Sequence, residues 1–144
     1  LTADDVTASF ADFLTQADEG IETMRGDIPT IVELIRDAAP DARIVWLTVY
    51  NPYRGTDADF TVGGLPVRFE TLSQTKIDLL NEVIWDGAEE YGYTVADVGA
   101  AFVANGGVLV NAEEGTELFS FLLDPHPNAA GHRVIAETIF DALG

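Results

Sequence analysis

The chain has 144 residues, the usual size of one domain, and 47% of them are hydrophobic, which excludes a disordered chain. Its 25 acidic residues against seven basic ones give a net charge of −18, a balance that repels nucleic acid and anionic membranes. No apolar run approaches the ~20 residues of a membrane span, no signal-peptide pattern opens the stretch, and the lack of cysteine removes disulfides and thiolate metal sites.

The acidic excess reads as a solvated surface, and with Lys76 the sole lysine it suits a chain that works in salt, where screening removes self-repulsion. A calcium site built from the carboxylates is the sharper alternative, but no D-x-D-x-D-G loop supports it.

In chain order, Leu1-Thr2-Ala3-Asp4-Asp5-Val6 opens a helix, with Thr2 as N-cap and Leu1 and Val6 at the two positions of a hydrophobic staple. Val6, Phe10, Phe13, Leu14, Ala17, Ile21 and Met24 keep helical spacing behind it. Gly26 and Pro29 predict a kink or restart, after which Ile31, Leu34, Ile35 and Ala38 carry a second apolar stripe that Pro40-Asp41 ends. The run Ile44–Tyr50, β-branched and aromatic, predicts a strand buried on both faces, hence a parallel sheet covered by helices. Asn51-Pro52-Tyr53-Arg54-Gly55 is its exit turn, and residues 56–68 read as a loop. A helix from about Ser73 to Gly92 carries Ile77, Leu80, Ile84 and Ala88, and Tyr93–Val98 is a second strand, so the three make a βαβ unit. Residues 99–119 hold apolar islands around Gly106-Gly107 without a clear period, and a last helix starts at Asn128 with Val134, Ile135, Ile139, Phe140 and Leu143 turned to a core. There are no repeats and no linker.

Chemistry concentrates in Asp124-Pro125-His126-Pro127-Asn128. A carboxylate two residues before an imidazole, in a loop stiffened by two prolines, can orient a histidine for general-base work. The competing reading is structural: Asp124 closes a turn, the prolines rigidify it and Asn128 caps the helix. His132 reads as structural, and an Asp124/His126/His132 metal site lacks further visible ligands. A base needs a nucleophile, and the three serines offer none that convinces. Ser9 lies inside a helix, Ser73 in Ser73-Gln74-Thr75-Lys76 matches S-x-x-K without that motif's companions and reads as a helix cap, and Ser120 sits in an apolar segment.

The block from Asp124 to Ala136 resembles the C-terminal block of the SGNH (GDSL-type) esterases and lipases, whose loop carries the catalytic His and the Asp that orients it. Pro40–Tyr53 and Tyr93–Val98 are similar to parallel strands of that family, so the likeness spans nearly the whole chain. Two departures stand out: the family spaces its acid and base as D-x-x-H where this chain has D-x-H, and the GDS, oxyanion-hole Gly and G-x-N blocks do not occur in these residues. The resemblance implies a three-layer α/β/α, flavodoxin-like fold with a parallel sheet, incomplete on its N-terminal side, residues 1–144 being the C-terminal part of one hydrolase domain. It implies ester hydrolysis in which His126 takes the proton of a serine and Asp124 fixes the imidazole, on a small ester or lipid substrate and with no metal or cofactor. The serine and oxyanion donors would come from an N-terminal segment or chain that also completes the sheet. The alternative, of a different class, is a non-catalytic fragment or binding domain that works only within a complex.

Overall fold

The computed structural model describes residues 3–55, 59–62, 64–107, 109–111 and 125–144, and for residues 3–10, 59–62 and 69 the backbone alone. The expected Thr2 cap, the Leu1/Val6 staple, Ser120 and the carboxylate of Asp124 therefore lie outside the described residues and side chains.

Helix α1 runs from Ala3 to Ala38, through Gly26 and Pro29, so of the expected kink or restart the restart is corrected. Proline inside a helix removes one hydrogen bond and crowds the preceding turn. Here Ile28 and Val32, on either side of it, are 1% and 2% exposed, and their packing holds both halves in one helix. The face turned to the protein is correspondingly Ile21, Met24, Ile28 and Val32, while Ile31, Leu34 and Ile35 of the expected stripe are exposed, as is Phe13.

Strand β1 (Val45–Leu47) pairs in parallel with β4 (Thr94–Ala96), Trp46 lying beside Val95. Between them comes helix α2 (Phe69–Tyr91), which ends on Gly92 in the left-handed conformation, so the βαβ unit is present. The predicted loop 56–68 instead contains an antiparallel hairpin, β2 (Asp59–Val62) and β3 (Leu65–Arg68), whose turn includes Gly64 at φ +82°. After β4, Asp97 caps helix α3 (Val98–Asn105), and Asn128 caps α4 (Ala129–Leu143) as expected.

The side-chain alternation of β1 sorts the core into two clusters. Ile44 and Trp46 join Val95 against Ile28, Val32, Val83 and Ile84 of α1 and α2. Leu47 and Tyr50 join Val98, Phe102, Leu109 and Val134 of the α3 and α4 side. Helices thus cover both faces of a small parallel sheet, the three-layer α/β/α arrangement of a flavodoxin-like fold. Phe140, expected in the core, is 74% exposed.

Register also defines an edge. Thr48 N donates to Ala96 O and Thr94 N to Ile44 O, so Ile44, Trp46 and Thr48 direct their backbone groups to β4. In a parallel ladder the intervening Val45 and Leu47 direct theirs the other way. Among the described residues no strand pairs with β1 on that side. No helix of the described residues is long and apolar enough to cross a membrane.

Candidate active site

The ends of β1 and β4 are knitted together by polar side chains. Thr48, 3% exposed, donates through Oγ1 to Asp97 Oδ1 at 2.8 Å and accepts from Gly99 N at 2.9 Å. Asp97 Oδ1 also accepts from Ala100 N, which fixes the first turn of α3 on the same strand end. Glycine is required at 99, because a Cβ there would stand 2.9 Å from Val49 O. From α2, Asn81 clasps Val49 with both halves of its amide, accepting from Val49 N at 2.7 Å and donating to Val49 O at 2.9 Å. Asn51 ties the exit turn to α2 by donating to Glu70 O and Gln74 Oε1, each at 3.1 Å, and accepting from Tyr53 N at 3.0 Å.

Ser73 belongs to this seam and does not cap the helix. It lies inside α2, with its hydroxyl placed to donate to either Glu70 O at 3.0 Å or Asn51 Oδ1 at 3.1 Å. Helix α2 starts four residues earlier than the spacing predicted, at Phe69, and Arg68 occupies the cap position without a side-chain cap bond. A crevice of about 370 Å³ opens over the strand ends, lined by Asn51, Arg54, Asn81, Trp85, Asp97 and Phe102 among others. Ligands of open α/β sheets bind at the carboxyl ends of the strands, which is where this crevice lies. Burial pushes the Tyr53 phenol above its ordinary 10.0.

His126 is brought to the same end of the sheet. Tyr50, three residues beyond β1, donates through its hydroxyl to Pro125 O at 2.8 Å. On the other side the loop pairs with residues 109–111: Asn111 N donates to His126 O and Asn128 N to Leu109 O, both at 2.9 Å, around a Val110–Pro127 bridge. Asn128 continues the tie as N-cap, its Oδ1 accepting from Ala130 N and Gly131 N and its Nδ2 donating to Val110 O. His126 is exposed.

Gly131 makes this arrangement feasible. It is buried where α4 crosses residue 109, and a Cβ would lie 2.1 Å from Leu109 O and 3.0 Å from Pro127 Cβ. His132 is exposed in the first turn of α4, its amide donating to Asn128 O. Among the described residues no three His, Asp or Glu side chains come together as a metal site. Of the expected site residues, then, His126 stands at the strand ends and Asp124 lies outside the described residues. Thr48, Tyr50, Asn51, Asn81 and Asp97 surround that end without having been singled out, since each acts through a partner distant in sequence.

The family model for the GDSL-like Lipase/Acylhydrolase family matches residues 3–134, from the start of α1 into α4. No curated protein and no solved structure matches the chain.

Proposed function

The chain belongs to the GDSL-like lipase/acylhydrolase family, and from that premise we propose that it carries the base of a serine-dependent ester hydrolysis, His126. The family match carries this reading, and the tether of the His126 loop to Tyr50 at the strand ends supports it. The imidazole takes the proton of a serine hydroxyl as the serine oxygen attacks the ester carbonyl carbon. It then delivers that proton to the departing alkoxide, leaving an acyl-serine. In the second half His126 deprotonates water, which attacks the acyl carbon, and the proton returns to the serine as the acid leaves. Asp124, two residues away, holds the imidazole in one tautomer and stabilises its charged form.

The serine and the oxyanion donors belong, on this reading, to polypeptide outside these 144 residues, with the chain as the C-terminal part of one domain. The edge of β1 supports that assignment, because Val45 and Leu47 present backbone groups to which a further parallel strand would bond. The crevice over the strand ends and the exit turn at Asn51 supply a wall for the ester.

Replacing His126 by Ala in the protein should lower hydrolysis of p-nitrophenyl acetate by about a thousandfold or more. Hydrolysis at the unmutated rate would end the proposal. Labelling by a fluorophosphonate tests the division of labour: a labelled serine within residues 1–144 would overturn the placement of the nucleophile outside them.

A further inference from the structure

We propose that Tyr50 is the positioning residue of the site, fixing where the His126 imidazole stands; the inference rests on the reading of His126 as the base. A side chain that delivers a proton must be held to a fraction of an ångström, and a solvent-exposed loop does not do this by itself. Two peptide planes flank His126. The plane before it ends in Pro125 O, which accepts the Tyr50 hydroxyl at 2.8 Å. The plane after it ends in His126 O, which accepts Asn111 N at 2.9 Å. With both planes anchored the Cα is fixed. Pro125 and Pro127 make the anchoring effective, since their rings lock φ on either side of the histidine.

The two anchors differ in what stands behind them. Asn111 belongs to the short segment that pairs with the loop itself. Tyr50 is rooted in the core: it follows β1 by three residues, and its ring stacks on Phe102 with centroids 4.2 Å apart and planes at 16°. Phe102 is in turn buried in the α3 and α4 cluster. The hydroxyl therefore transmits the position of the parallel sheet to the base. A phenol suits the task because the ring fills apolar space while the oxygen reaches a carbonyl.

The test compares Tyr50→Phe with Tyr50→Ala. Phenylalanine keeps the stack on Phe102 and removes the hydroxyl that donates to Pro125 O. Tyr50→Phe should lower kcat for p-nitrophenyl acetate by about tenfold with KM unchanged. It should also speed amide exchange at Asn111 and Asn128 severalfold while exchange at Thr94, in the sheet, keeps its rate. Tyr50→Ala should do more on every count. Wild-type kcat together with wild-type exchange at Asn111 and Asn128 in Tyr50→Phe would overturn the proposal, and so would faster exchange at Thr94 to the same degree, which marks a merely structural ring. The two readings fail separately. If His126→Ala hydrolyses esters normally while Tyr50→Phe loosens Asn111 and Asn128, the esterase reading falls and the anchoring of the loop stands.

Discussion

The two faces of the sheet are held by different kinds of interaction. On the α1 and α2 face, Ile28, Val32, Val83 and Ile84 are each 2% exposed or less, Asn51 and Asn81 bind the strand exit to α2, and the two helices share surface ion pairs, Arg25 with Asp86 at 3.0 Å and Lys76 with Asp18. Exposed pairs of this kind contribute about 0–1 kcal/mol, so burial dominates there. On the α3 and α4 face the apolar cluster of the described residues is smaller, and beside it runs a web of directional bonds from Thr48, Tyr50, Asn128 and the 109–111 segment. Each such bond adds only about 1 kcal/mol net, yet it defines a distance and an angle that apolar packing does not. Burial dominates the α1 and α2 face, while the bonds from Tyr50 and the 109–111 segment define where His126 stands.

Substitutions can break that contrast if it is false. The largest stability effect belongs to Ile84, fully buried between α1, α2 and the sheet. Ile84→Ala should cost about 3 kcal/mol in urea unfolding while Asn111 and Asn128 keep their exchange rates relative to global opening. Gly131→Ala attacks the other face. The new Cβ meets Leu109 O, a backbone atom that already accepts from Asn128 N at 2.9 Å, so relief requires parting α4 from the 109–111 segment. A stability loss of about 1–3 kcal/mol is expected, with a fall in ester kcat out of proportion to it. A Gly131→Ala enzyme with normal kcat, or an Ile84→Ala protein with a displaced His126 loop, would show that the faces do not divide the work.

The same contrast explains what the sequence reveals. Helical spacing located α2 and α4, the β-branched run located β1, and Asn128 announced the last helix, because these are local signals. Pro29 misled, since what overrides it is the burial of Ile28 and Val32 against another helix. The hairpin has a local signal, Gly63-Gly64 between two short alternating runs, but one too short to outweigh the low periodicity of residues 56–68. Ser73 looked like a cap because the start of α2 at Phe69 carries no capping side chain. His126 was legible from its motif. Tyr50, Asn81 and Asp97 were not, because the partner of Tyr50 lies 75 residues away, that of Asn81 32 and that of Asp97 49.

The smallest predicted effect sharpens the comparison through pH. Tyr93 sits in the α1 and α2 cluster, tilted against Trp46 with centroids 5.2 Å apart, and its hydroxyl donates to Ile84 O. Burial, and secondarily the charge of Asp86, raises its phenol above the ordinary 10.0. The folded protein therefore keeps this proton to higher pH than the unfolded chain does. Stability from Tyr93 is complete below pH 10.0 and is lost as pH climbs through the folded value. Tyr93→Phe should cost about 1 kcal/mol at neutral pH, the worth of one hydrogen bond, and should flatten the fall of the urea midpoint between about pH 9 and 11. Tyr53, whose phenol is also raised by burial, lies on the strand-end seam and stays in place in this variant. An unflattened midpoint curve in Tyr93→Phe would overturn the claim for Tyr93 and leave the alkaline loss to other groups, Tyr53 and Tyr91 among them, whose phenols are also raised.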